Sequence, residues 1–250
     1  MIPDPQGLVL AAFAAFCRIG ACFLILPGFS TARVPQVIRL LVAVAVSFAI
    51  LPVMWDDLYP AVKRPGSDYI VMIFMETAIG SVIGLITRYY ILGMQFAGTI
   101  VTMMIGFNAP PTADVLEDTA ESQITNLLGF AALLVLFMLD FHHQVVIALV
   151  QSYKIMPPGV IFDAQKALIT LTDTLQATFM VMLRLSSPFI IFSLLFNVAI
   201  GFINKLAPQM PIYFISTPYL VMAGLFLVYF GIASMLGLFA DAFGPIFAGQ

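Results

Sequence analysis

Six long apolar runs, at roughly residues 7–28, 36–54, 69–105, 124–150, 175–203 and 211–240, decide what this chain can fold into. A helix needs about 20 mostly apolar residues to cross a bilayer, because a rise of about 1.5 Å per residue must cover about 30 Å. The backbone in lipid must satisfy its own hydrogen bonds, which leaves helices or a closed barrel. These runs do not alternate, so the fold class is an all-α membrane protein. Composition agrees: of 250 residues, 62% are hydrophobic and 9% charged, against about 45–50% and about 25% in soluble domains. The mean hydropathy is +1.06. A soluble enzyme and a disordered tail are excluded. The net charge of −3 gives no basic footprint for nucleic acid.

The N-terminus has no basic stretch, so no cleaved signal peptide is expected. Cys17 and Cys22 lie in one apolar run, a spacing that suits neither a disulfide nor zinc, and both read as packing residues. Breakers mark the linkers: Pro27 to Pro35, Pro60 to Gly66, Pro110-Pro111, Pro157 to Gly159, and Pro208 to Pro211. The third run fits either two helices broken near Arg88-Tyr89-Tyr90 or one long one. Basic residues fall at Arg33 and Arg39 in the loop near 29–39, at Lys63 and Arg64 in the next, nowhere in the loop at 106–123, and at Lys154 and Lys166 in a loop at 151–174. They give no clean topology. Five charges sit inside apolar runs: Arg18, Glu76, Arg88, Asp140 and Arg184. Such groups avoid lipid and face protein or water. They suggest a subunit of a larger assembly or, alternatively, a secondary transporter with an intramembrane charged pathway.

Glu76, Gly80 and Gly84 recur every four residues and share one side of a helix, where the glycines admit a close neighbour. Arg88 falls about 120° around the helix from Glu76, so the two are not expected to pair. Glu76 is either a proton-relay carboxylate or a buried acid bonded to a neighbouring helix. The lack of a second membrane acid in the same pattern favours the latter. Asp140-Phe141-His142-His143 resembles a metal motif at first, with Asp140 and His143 on one helical face. The histidines are adjacent, however, not at the i,i+4 spacing of a helical zinc clamp, so hydrogen bonding between helices is the default. No nucleophile elbow, metalloprotease motif or phosphate loop occurs, and no catalytic residue, metal or cofactor is expected.

Asp114, Glu117, Asp118 and Glu121 fall on one helical face after Pro110-Pro111. Asp114 and Glu117 suit a capping box. The stretch before them, Gly106-Phe107-Asn108-Ala109-Pro110-Pro111, is irregular between two apolar runs. Irregular backbone at membrane depth survives only inside protein or beside water. A pore-facing loop and a plain surface loop both remain open.

Several stretches belong together: Arg33-Val34-Pro35 with Arg39; Glu76, Gly80 and Gly84; Gly98 and Gly106; Asp140-Phe141-His142; and Asn197-Val198-Ala199-Ile200-Gly201 followed by Asn204-Lys205-Leu206-Ala207-Pro208-Gln209. In this order, over nearly the whole chain, they resemble the FliR/SctT family of type III export-gate proteins. The last is the most specific. The chain departs from the family at Thr99, Thr102 and Met104, at Phe141 in place of a glycine, and in lacking an Asp-Pro pair in the loop.

The resemblance implies tilted helical hairpins of a multi-subunit export gate, with residues 1–174 FliP-like and residues 175–250 a FliQ-like hairpin turning at about 204–211. It implies FliP-like and FliQ-like partners, FlhB-like and FlhA-like neighbours, unfolded export substrates, and a place in the bacterial inner membrane at the flagellar basal body. It also implies that the loop at about 106–122 plugs the closed pore, with Met103 and Met104 as flexible seals. Arg33, Pro35, Arg39, Glu76, Gly80, Gly84, Asp140, His142, Arg184, Asn197, Gly201, Lys205, Pro208 and Gln209 are then expected to serve assembly and packing.

Overall fold

The computed structural model describes residues 4–29, 34–63, 66–107, 122–159 and 162–248, and the described residues form helices and their connections. In order these are α1 (Pro5–Ile25), α2 (Gln36–Ile50), a 3-10 turn (Leu51–Met54), α3 (Trp55–Val62), α4 (Gly66–Met104), α5 (Gln123–Met138), α6 (Phe141–Ile155), α7 (Ala164–Leu206) and α8 (Ile212–Ala248). Among the described residues, five stretches are long and apolar enough to cross a membrane, Pro5–Ile25, Gln36–Val62, Asp68–Met104, Ala164–Leu206 and Ile212–Ala242, and Gln123–Met138 with Phe141–Ile155 makes a sixth if the bent pair is one span. The chain is an all-helical membrane protein.

Local chemistry sets the helix ends. Asp4 caps α1 by accepting from the Gln6 amide at 3.0 Å, with Pro5 in the first turn, where its missing N–H costs nothing. Asp163 caps α7 by accepting from the amides of Gln165 and Lys166, each at 3.1 Å. That cap starts α7 about eleven residues before the apolar run at 175. Lys166 and Asp173 therefore lie on exposed helix, and Lys154 in the last turn of α6, rather than in one loop at 151–174. Arg39 likewise lies in the first turn of α2.

The third apolar run is one continuous helix through Arg88-Tyr89-Tyr90. The fourth, in contrast, breaks at Leu139-Asp140, where Asp140 takes a left-handed conformation at φ 53°. Asp tolerates that region better than most side chains. Because Asp140 stands outside α6, it does not share a helical face with His143 in the way an unbroken helix would require.

The chain divides into two compact units. The first comprises Met1–Tyr89 and Asp140–Leu175, the second Tyr90–Leu139 and Gln176–Gln250. In the first unit α1 is central. Tyr59 of α3 lies against Gly7 at the start of α1, so α2 runs antiparallel to α1 and delivers α3 to its N-terminal end. The Tyr69 hydroxyl donates to the Leu10 carbonyl at 2.9 Å, and Gly84 meets Cys22. The first half of α4 therefore runs parallel to α1. The second unit gathers the end of α4, α5, most of α7 and α8. Gly98 of α4 meets Thr125 of α5, Gly93 meets Thr178 of α7, and Gly224 of α8 meets Ile105.

Pro188 sits inside α7 and removes the amide that would bond the Arg184 carbonyl. The Ser187 hydroxyl donates to that carbonyl instead, at 2.9 Å. The helix thus passes its proline without leaving an orphaned acceptor, which matters in a segment apolar enough for lipid.

Candidate functional site

Arg18 and Glu76 form a buried ion pair in the first unit. Arg18 lies near the middle of α1, with no apolar neighbour able to satisfy a guanidinium. Its Nε donates to Glu76 Oε2 at 2.6 Å and its Nη2 to Glu76 Oε1 at 2.8 Å. This is a two-pronged pairing of planar groups, the strongest geometry available to them. The remaining donors turn to α6 and its C-terminal end: Nη1 bonds Ser152 Oγ at 3.0 Å, and Nη2 the Met156 carbonyl at 3.1 Å. The Ser152 hydroxyl in turn donates to the Leu149 carbonyl at 2.7 Å. The ring of Tyr153 lies 3.8 Å from the guanidinium carbon, a cation–π contact. Side-chain exposure is 0% for Arg18 and 1% for Glu76. The charge is neutralised and each guanidinium nitrogen donates at least one hydrogen bond, as expected of a joint between helices.

Glycine makes the joint possible. A Cβ at Gly80 would overlap the Arg18 carbonyl oxygen, and one at Gly84 would stand 2.9 Å from the Cys22 carbonyl. One turn of α4 supplies the acid and the next two bring the backbones together, so α1 and α4 meet with almost nothing between them.

The second constellation is the base of the loop after α4. Gly106, at φ 72°, ends the helix with two reversed bonds: its amide donates to the Met103 carbonyl at 3.3 Å, and the Phe107 amide to the Thr102 carbonyl at 3.1 Å. This is the Schellman arrangement, which requires a residue at ease with positive φ. On the far side of the loop Ser122 caps α5 by accepting from the Ile124 amide at 3.3 Å. Thr102 and Ser122 hydroxyls meet at 3.0 Å, and Thr125 packs against Gly98. Both ends of the loop are thereby tied together. Met103 is exposed and Met104 half-buried on the last turn of α4. Asn108, Ala109, Pro110, Pro111, Asp114, Glu117, Asp118 and Glu121 lie outside the described residues, as does Arg33.

The other sequence-derived residues are scattered. Pro35 precedes α2, and the half-buried Arg39 donates from Nε to the Val34 carbonyl at 3.0 Å. Arg88, Asp140, His142 and Arg184 lie on the surface of the chain. Asn197 bonds within α7, from Nδ2 to the Ser193 carbonyl at 2.8 Å. Among the described residues, nothing outside its own stretch of helix approaches within 4 Å of a Cβ built on Gly201. Lys205 is exposed in the last turn of α7, a favourable end for a cation. Pro208 and Gln209 are exposed in the turn before α8. Ser152, Tyr153 and Met156 are the members of the Arg18 cluster that sequence reasoning missed. The available signal was the donor count, since a buried guanidinium carries more N–H groups than one carboxylate can accept.

The sequence profile of the bacterial export proteins, family 1, matches residues 9–246. The chain belongs to that family. Among its relatives within the curated proteins, the flagellar biosynthetic protein FliR of Caulobacter vibrioides is 26% identical over 235 residues, which cover 94% of this chain and 93% of that one. FliR of Escherichia coli is 24% identical, over 86% and 82% of the two chains. FliR of Bacillus subtilis is 23% identical, over 83% and 80%. An all-helical membrane member of this export family, matched along nearly its full length by flagellar proteins, is a component of the flagellar export apparatus.

Proposed function

We propose that this chain is a non-enzymatic gate subunit. With FliP-like and FliQ-like chains it forms and closes the pore that passes unfolded flagellar proteins across the inner membrane at the basal body. FlhB-like and FlhA-like proteins are its further neighbours. The observation that carries the reading is the family match from residue 9 to residue 246. Residues 1–174 are the FliP-like part and residues 175–250 the FliQ-like hairpin, whose turn at 207–211 joins α7 to α8. The outward apolar side chains of that hairpin, among them Leu195, Phe202, Leu206, Phe214, Tyr229 and Phe230, suit a chain whose neighbours are other membrane helices and lipid.

Co-expression with the FliP-like and FliQ-like proteins of the same organism, followed by extraction in mild detergent, tests this. One stable particle containing all three is expected. A lone, monodisperse chain beside well-expressed partners overturns the reading and returns attention to transport by the isolated protein, measurable as flux in proteoliposomes.

The loop at 106–122 acts as the plug of the closed pore, with Met103 and Met104 sealing beside it. Its tied base supports this use, since the segment between can be displaced without melting α4 or α5. Replacing residues 108–121 with a short linker keeps the Gly106 terminus and the Ser122 cap. The assembled gate should then leak ions. Unchanged conductance in planar bilayers, with assembly intact, would sink the plug.

A further inference from the structure

Within the second unit, the end of α4 from which the loop departs is fastened on two sides. On one side it meets α5. The Thr102 hydroxyl donates its single proton to the Gly98 carbonyl at 2.8 Å, so in its 3.0 Å contact with Ser122 it accepts, and the Ser122 hydroxyl donates. Gly98 against Thr125 and Gln95 against Gly129 continue the close approach. As the residue number falls on α4 it rises on α5, one antiparallel register held over two turns.

On the other side α4 meets α8. Ile105, the residue before Gly106, is fully buried, and Gly224 leaves the notch that receives it. A Cβ at Gly224 would overlap Ile105 Cγ2, stand 2.5 Å from Ile105 Cβ and lie 3.5 Å from Ile105 Cα. One turn earlier on α8, Leu220 Cδ2 lies 3.3 Å from a Cβ built on Gly106.

These fastenings differ in how they can yield. The contact with α5 joins two hydroxyls that rotate. The contact with α8 sets a branched side chain, confined at its first torsion, against helix backbone in a close-packed interior. Gly93 makes a similar approach in the same unit, but to the outer methyl of Thr178, whose Cβ stands 3.9 Å away. A methyl added at Gly93 meets the end of a side chain, whereas one added at Gly224 meets its root. Relief at Gly224 has to come from the backbone at Ile105, because a helix terminus opens more readily than the interior of a 37-residue helix. Moving Ile105 moves Gly106, whose turn at φ 72° begins the loop.

We propose, resting on the reading of the loop as the plug, that Ile105 seated against Gly224 is a positioning residue for pore closure, fixing the α4 terminus on α8 and so the point from which the loop is held.

Variant chains are assembled with the FliP-like and FliQ-like proteins and their conductance is measured in planar bilayers, beside the natural gate and the gate with a linker at residues 108–121. Gly224→Ala should raise the conductance of the closed gate roughly tenfold, a shift within reach of overpacking acting on a two-state balance. Gly93→Ala should lower the melting temperature of the chain and leave the conductance unchanged. Ile105→Ala/Gly224→Ala should leak less than Gly224→Ala, because the branched carbons are gone and the new methyl occupies the notch. An assembled Gly224→Ala gate as tight as the natural one overturns the anchor, and if the linker gate leaks beside it the plug still stands. A tight linker gate removes the plug instead, while a Gly224→Ala leak relieved by Ile105→Ala still assigns closure to the α4 terminus. Equal leaks from Gly93→Ala and Gly224→Ala, or a leak that Ile105→Ala does not relieve, also overturn the anchor. If Gly224→Ala prevents assembly, Ile105→Ala alone decides: emptying the notch should leak, and a tight assembled gate overturns the proposal.

Discussion

Replacing Glu76 with alanine should remove about 3–5 kcal/mol from the stability of the folded chain. Membranes should then contain little folded subunit. The reason is the fate of Arg18, which is fully buried and whose Nε and Nη2 donate to the two oxygens of Glu76. Ser152, the Met156 carbonyl and the Tyr153 ring remain after the substitution, but none of them carries a negative charge. Water cannot reach the guanidinium without parting α1 from α4, and the glycine contacts at Gly80 and Gly84 oppose that.

Glu76→Gln should be milder. Its amide oxygen still accepts one of the two donations, but the buried guanidinium is left without a countercharge as in the alanine variant, so the relief is partial. The double variant Arg18→Met/Glu76→Leu separates a packing joint from a working charge. With both ions gone and similar volume in place, stability should return close to that of the natural chain. Thermal melting in detergent, read by fluorescence-detected size exclusion, ranks the variants. A double variant as unstable as Glu76→Ala would show that the pair does more than hold the helices together. If Glu76→Gln assembles normally yet abolishes energised export, the carboxylate serves energy coupling and the joint reading is wrong.

This pair also marks where sequence reasoning reaches its limit. Both charges stood out because they interrupt apolar runs, and the spacing of Gly80 and Gly84 announced a close neighbour. The identity of that neighbour was not legible. Arg18 and Glu76 are 58 residues apart, and no local pattern links them. The long helices were legible because a run of about 20 apolar residues has one good solution in a membrane. The break at Leu139-Asp140 was hidden for the opposite reason: neither glycine nor proline marks it, and the apolar run continues on both sides. The left-handed conformation of the exposed Asp140 makes the turn. The early start of α7 was hidden by Lys166 and Asp173, whose charges read as loop although the Asp163 cap and an exposed helical face accommodate them.

Gly80→Ala should be nearly as damaging as the loss of Glu76, although it adds a single methyl group. In an open helix that change is favourable by about 0.8–1 kcal/mol, because glycine has more backbone freedom to lose on folding. Gly201 is such a position: among the described residues nothing outside its own stretch of helix lies within 4 Å of the added carbon, so Gly201→Ala should raise the melting temperature of the isolated chain slightly. At Gly80 the added carbon overlaps the carbonyl oxygen of Arg18. That atom is backbone in the middle of a helix and cannot rotate aside as a side chain could. Relief requires α1 and α4 to separate, which lengthens the Arg18–Glu76 bonds and exposes apolar surface between the helices. Overpacking costs roughly 1–3 kcal/mol where side chains can adjust, and more where they cannot, so the clash outweighs the gain in helix propensity.

The two alanines therefore move stability in opposite directions, and the contrast carries the test. Equal melting temperatures for Gly80→Ala and the natural chain would show that α1 and α4 do not meet backbone to backbone. A Gly201→Ala chain that is stable alone but fails to join the FliP-like and FliQ-like proteins would assign its open face to an assembly contact. Normal assembly would leave that face to lipid.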